Sequence, residues 1–320
     1  MKTNLLLSFA ALLLPVFALA APVVTNVTAK QRYPWNGKVD ISYTVSGEVS
    51  ENWLPFAFLA VTATDGDTGA FYSASSLSGD GSVDEGTHTV VWDAAADLGE
   101  VRFTNMVVSV NVRLKGQLWE NGPLWAEKNI GAENPWDYGL YFWWGDTVGY
   151  KRENNAWVAS DGSSEKSFSF WNAPTIRKDT ATLESEGWIV TKDGTNVLAP
   201  EHDAALTHWG GSWRMPTYQE FSDLNSNCDW TWTTQNDVNG FVVRGRGDFA
   251  EASIFLPAAG HGNMTSLSWT GSLGRSWASV PNASSSNSSW GCQFSSDGHL
   301  LNDLGRDFGL VVRPVLEVTE

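Results

Sequence analysis

The chain has 320 residues, 42% of them hydrophobic and 18% charged, and a formal net charge of −16. That charge excludes nucleic acid and anionic lipid as electrostatic partners, because both require a basic face. The length exceeds what one compact domain usually holds, and so predicts two.

In chain order, the first twenty residues read as a secretory signal. Lys2 supplies the charged start, Leu5 to Ala20 the apolar stretch, and Ala18-Leu19-Ala20 a small-x-small cleavage site. No later segment approaches the ~20 apolar residues of a membrane span, so no transmembrane segment is expected. The expected localisation is secreted, periplasmic or cell-surface. Residues 22–115 carry short β-branched runs (VVTNVTA, VDISYTV, FAFLAVTAT, THTVVWD, MVVSVNVRL) separated by turn signals such as Asn36-Gly37, Asp65-Gly66 and Gly79-Asp80-Gly81. Val39, Ile41, Tyr43 and Val45 alternate with polar neighbours, as a half-buried strand requires. This predicts an all-β immunoglobulin-like sandwich.

Of the 18 tryptophans only Trp35, Trp53 and Trp92 precede residue 116, which marks a boundary near Lys115-Gly116. Residues 116–320 contain two short helical patterns, Glu201 to Trp209 and Thr217 to Asn225, and strand patterns at Gly240–Arg244, Ser253–Leu256 and Leu310–Val315. The rest reads as long loops rich in Gly, Ser, Asn and Trp, with Pro281 to Ser289 as a flexible one. The most distinctive stretch is AALTHWGGSWRMPTYQEFSDL, residues 204–224. Gly210-Gly211 gives a permissive backbone between Trp209 and Trp213. Pro216 ends the extended segment, and Thr217 with Glu220 makes a capping box. Tyr218, Phe221 and Leu224 then form one apolar stripe. The two cysteines, Cys228 and Cys292, could pair and close a loop of roughly 65 residues worth about 4 kcal/mol. Two separate buried thiols fit equally well.

Tests for reaction chemistry give little. The five histidines make no H-E-x-x-H, and no Cys/His cluster has ligand spacing, so no metal site is expected. Asp65-Gly66-Asp67-Thr68-Gly69 starts like a calcium loop but lacks its later ligands and reads as a hairpin turn. Asp297, Asn302, Asp303 and Asp307 could offer oxygens to a cation, though a solvated acidic loop explains them as well. The G-x-S-x-G elbow fails at Arg214. No phosphate-cradling or dinucleotide fingerprint occurs, so no cofactor is expected. The tripeptide Arg246-Gly247-Asp248 is too short to carry weight.

Five ordered motifs carry a resemblance. They are LWAEKNIGAENPWDYGLYFWWGDT (124–147), HWGGSWRMPTYQEF (208–221), NCDWTWTTQNDVNGFVV (227–243), IFLPAAG (254–260), and the ending from Arg275-Ser276-Trp277-Ala278-Ser279 to FGLVVRPVL (308–316). Together they resemble the Fibrobacter succinogenes major paralogous domain, itself similar to the C-type-lectin-like fold of formylglycine-generating enzymes. The resemblance implies that 116–320 is an α+β C-type-lectin-like domain with long loops. It also implies that Trp209, Gly210, Gly211, Trp213, Arg214, Met215, Pro216 and Glu220 are a structural signature, as are Trp143, Trp144, Trp230 and Trp232. Ligands would be met by the later loops. The expected ligand residues there are the aromatics Trp269 and Trp290, with Trp277 a candidate that a core position also explains. The polar ones are Arg275, Asn302, Asp303, Arg306 and Asp307. The copper-binding cysteine pair of the oxidases is absent, as are the Glu-Pro-Asn and Trp-Asn-Asp signatures of calcium-dependent lectins. The expected function is therefore non-catalytic recognition or adhesion, with a glycan or protein ligand at the cell surface. A polysaccharide-acting hydrolase and a structural cell-envelope component are the alternatives.

Overall fold

The computed structural model describes residues 22–47, 57–99, 105–163 and 165–317, and the secretory signal expected over 1–20 lies outside them. The described chain is mostly strand, arranged in several small antiparallel sheets with a few short helices. Its apolar clusters separate along the chain: one draws only on residues from 24 to 112, and three only on residues from 118 to 315.

The first part holds β1 (Val23–Gln31), β2 (Lys38–Ser46), β3 (Ala57–Asp65), β4 (Phe71–Ser73), β5 (Leu77–Gly79), β6 (Gly86–Asp93) and β7 (Met106–Leu114). They form two antiparallel sheets, in the orders β1-β2-β6-β5 and β4-β3-β7. Val39, Ile41, Tyr43 and Val45 of β2 are buried as their alternation requires, and they meet Val61, Ala63 and Val110 from the other sheet. Each such burial contributes about 1.5–3 kcal/mol. The Asp65 turn is a hairpin turn: its carboxylate accepts from Asp67 N at 2.9 Å and Thr68 Oγ1 at 2.8 Å, which holds it below the ordinary carboxylate range.

In the second part the 204–224 cassette is a scaffold. Asp203 caps the helix Ala204–Trp209 by accepting from Ala205 N and Leu206 N, and it also accepts from Met215 N at 2.9 Å. One carboxylate thus fastens helix to strand, and burial raises its pKa. Gly210 and Gly211 both have positive φ (68° and 59°), a conformation in which any side chain is strained. Their turn sets Trp209 edge-on to Trp213 at 4.9 Å. Trp213-Arg214 pairs with Val315–Leu316, which pairs in turn with Leu124–Trp125. Thr217 and Glu220 make the expected capping box on the helix Tyr218–Asn227, and Phe221 and Leu224 are fully buried beneath it. Arg214 adds a fork to Glu220, with N–O distances of 2.8 and 2.6 Å. The strands expected at Gly240–Arg244 and Ser253–Leu256 lie within Val238–Gly245 and Ser253–Pro257.

Of the two readings left open for the cysteines, the structure takes the second: Cys228 and Cys292 are free thiols, not a disulfide. Each is buried in the same apolar cluster, and burial pushes both up to about 12. The Pro281–Ser289 stretch is a pinned turn rather than a flexible loop. Asn282 Oδ1 accepts from Ser284 N, Asn287 Oδ1 from Arg177 N, and Ser286 O from Arg306. Finally, much of 273–305, read as loops, is three full strands: Leu273–Pro281, Ser288–Ser295 and Gly298–Gly305.

Candidate functional site

Those three strands form an antiparallel sheet with Ser288–Ser295 at its centre. Successive side chains of a strand point to opposite faces. Cys292 and Phe294 lie in the core cluster and Trp290 packs partly against it, so these three share the core face while Gly291 and Gln293 share the other. The register sets Arg275 opposite Gln293 and Asn302 opposite Gly291. Arg275, Gln293 and Asn302 therefore stand side by side on the second face. Gln293 Oε1 accepts from Arg275 Nε at 2.8 Å and from Asn302 Nδ2 at 3.1 Å, which fixes both side chains.

The same face gains an aromatic wall and a histidine. The Arg275 guanidinium carbon stands 5.7 Å from the Phe308 ring centroid, and His261 meets Phe308 edge-on at 5.0 Å. His261 is buried, and its Nδ1 has no hydrogen-bond partner among the described residues. Burial, with the Arg275 charge beside it, pushes His261 down to about 4. Burial also lowers the Arg275 pKa. Among the described residues no carboxylate lies within ion-pair distance of Arg275. Arg152, Arg306 and Arg313 also lack a carboxylate partner, but Arg306 and Arg313 spend their N–H groups on several buried acceptors, and Arg152 lies over the Trp157 ring. The half-buried Arg275 instead donates to Gln293 through Nε and leaves its two terminal nitrogens free among the described residues. Its planar fork matches a carboxylate bidentately.

Ser268 pairs with His261, so the turn that follows it, carrying Trp269, borders this region. Trp269 is 67% exposed and has φ of 65°, a rare conformation for a bulky residue. Its carbonyl accepts from Leu273 N at 2.9 Å, which holds the turn while the indole faces solvent. The exposed indole thus stands on the turn that leads into Leu273–Pro281, the strand that carries Arg275.

The remaining expected site residues fall elsewhere. Arg306 is 0% exposed and belongs to the core. Its Nε donates to Ser289 Oγ, its Nη1 donates to the carbonyls of Thr175, Lys178 and Ser286, and its guanidinium lies 4.7 Å from the Trp144 ring. Trp277 is also fully buried and donates to Phe142 O at 2.9 Å. Trp290 lies on the core face, edge-on to Tyr218 at 4.8 Å. Asp303, paired with Trp290, is exposed on that same face, away from Arg275. Asp307 is half-buried in the turn before Phe308 and makes no ion pair with Arg275. The structure thus brings Arg275 and Asn302 together, borders them with Trp269, and separates the rest.

Gln293, His261 and Phe308 escaped the sequence reading. The alternation Trp290, Cys292, Phe294 against Gly291, Gln293 was the available signal for the first. Among the described residues no group of three His, Cys, Asp or Glu could hold a metal ion, and no helix is long and apolar enough to cross a membrane. Compared with known proteins, the chain matches no family model, no curated protein and no solved structure.

Proposed function

We propose that this chain is an exported bacterial recognition protein that binds, without catalysis, a glycan or protein ligand through a carboxylate received at Arg275. The carrying observation is the half-buried Arg275 guanidinium, held by Gln293 and lacking any carboxylate among the described residues. A ligand carboxylate supplies the missing counter-charge. Asn302 and the exposed Trp269 would add a polar and an aromatic contact, the mixture enriched at binding surfaces. The net charge of −16 opposes approach of an acidic ligand, but screening confines that repulsion to about 8 Å at physiological salt. The contact pair, partly removed from water, is screened much less.

Two sheets ordered β1-β2-β6-β5 and β4-β3-β7 support the immunoglobulin-like reading of the first part. Short helices among small antiparallel sheets from residue 116 onward support a C-type-lectin-like second part of the Fibrobacter succinogenes major paralogous kind. The secretory signal read in residues 1–20 supports export.

The test is a panel of uronate-containing oligosaccharides and acidic peptides against the full chain and its Arg275→Met variant. Binding that needs the ligand carboxylate and Arg275 supports the reading. Turnover of a polysaccharide would replace it with an enzymatic one.

A further inference from the structure

A cleft of about 810 Å³ opens between the hairpin Ile189–Lys192/Thr195–Leu198 and residues 211–217 of the cassette. Its floor includes Ser279, whose backbone N donates to Pro216 O at 2.8 Å. Ser279 is 2% exposed, and its hydroxyl has no hydrogen-bond partner among the described residues. Leaving a buried hydroxyl unpaired costs about 1–3 kcal/mol, so a group that pairs with it recovers free energy on binding.

The charges on the walls of the cleft are already matched, and at its rim only the carboxylate of Asp193, exposed to solvent on the hairpin turn, makes no ion pair among the described residues. Asp203 accepts from three backbone N–H groups, those of Ala205, Leu206 and Met215. Arg214 is forked to Glu220, and Lys192 meets Glu317 across the rim at 3.1 Å. An anionic ligand would have to break one of these pairs and a cationic one would find only the solvated Asp193 carboxylate, whereas a neutral ligand needs neither. What the cleft offers a ligand is an apolar wall, including the cross-strand pair Val190 and Val197, and the unpaired hydroxyl of Ser279 in its lining. A sugar ring offers the complement: an apolar face of C–H groups and a rim of hydroxyls. The volume falls within the range of ordinary small-ligand sites, about 300–1,000 Å³.

We propose that this cleft binds a neutral sugar unit, with its ring face against the Val190–Val197 wall and a hydroxyl paired with Ser279 Oγ. The cassette is then both the scaffold of its domain and one wall of a site. This site is separate from Arg275 and stands whether or not an acidic ligand binds there.

The test uses the full chain with cellobiose, maltose and lactose as probes, each followed by saturation-transfer NMR and calorimetry. At least one probe is expected to bind, and Ser279→Ala to weaken it roughly two- to tenfold, one hydrogen bond's worth. Because the hydroxyl is unpaired in the free protein, Ser279→Ala is expected to melt at or above the parent temperature, which separates lost binding from lost fold. Val197→Trp fills the cleft and should weaken binding more than about tenfold, a change of 1.4 kcal/mol. Arg275→Met should leave it unchanged. The proposal is overturned if no probe transfers saturation at about 10 mM, below the affinity range of any useful site. Binding indifferent to both cleft variants, or abolished by Arg275→Met, overturns it as well.

Discussion

Replacing Arg306 by Met should unfold the protein far more readily than replacing Arg275 by Met, although both arginines belong to one short C-terminal region. Arg306 donates at 2.8 Å to Ser289 Oγ, and at 3.0, 2.9 and 3.3 Å to the carbonyls of Thr175, Lys178 and Ser286. Met leaves these four acceptors without their donor, at about 1–3 kcal/mol each where no water reaches them. Against this, burial lowers the Arg306 pKa from the ordinary guanidinium range to about 10. Removing that unfavourable charge returns roughly 3 kcal/mol at 1.36 per unit. The acceptors outweigh the charge, and the net loss should be about 3–5 kcal/mol, a large share of ordinary domain stability. Arg275 loses one hydrogen bond at a half-exposed site, so Arg275→Met should cost at most about 1 kcal/mol. Urea unfolding of the full chain, with the slope checked for constancy, measures both. An Arg306→Met variant within about 1 kcal/mol of the parent would refute the reasoning.

Three further outcomes are expected. Glu220→Ala removes the capping box and strands Arg214; burial alone would raise Glu220, but Arg214 and Thr217 hold it below the ordinary range. Its side chain is 15% exposed and Arg214's 24%, so urea unfolding should show a loss of about 2–4 kcal/mol, the lower part of the buried-pair range. Acid should act through His261: its pKa falls from 6.5 unfolded to about 4 folded, so the unfolded chain binds the extra proton. Stability should therefore decline between pH ~6.5 and ~4 by up to about 3 kcal/mol, and His261→Phe should flatten that part of the pH profile. Below it, protonation of Glu220 should remove its own contribution as pH falls from its unfolded pKa through the lower folded one. Cys228 and Cys292 should react with a thiol reagent only after unfolding, and reductant should leave the melting temperature unchanged. A denatured chain without titratable thiols would contradict that.

How far the sequence reveals this depends on where a residue's partners lie. The strands of the first part show themselves through period-two alternation, because their cores are Val, Ile, Tyr and Trp facing one side. The capping box and the Gly210-Gly211 turn are equally local, and both stand as read. The 273–305 sheet hides because it needs glycine inside strands. A Cβ on Gly274 would sit 2.0 Å from the Phe294 ring, and one on Gly291 2.5 Å from Ser276 O. Close approach of this kind removes the side chains that would have marked a strand. Arg306 hides for the opposite reason. Two of its carbonyl partners lie 131 and 128 residues away, so nothing near it distinguishes a buried arginine from a surface one. The pinned turn at 282–287 depends on the same remote contacts. Arg275 and Asn302 could be chosen as ligand residues by type alone, but only strand register brings Gln293 between them.

The most direct test of the account is calorimetric titration of the full chain with an oligogalacturonate and with the same oligosaccharide reduced to its neutral form. The acidic ligand should bind, the neutral one should bind Arg275's site at least tenfold more weakly, and Arg275→Met should lose about 10- to 100-fold for the acid, a charged hydrogen bond's contribution. Equal binding of the acid and its neutral form, with Arg275→Met indistinguishable from the parent, would contradict it.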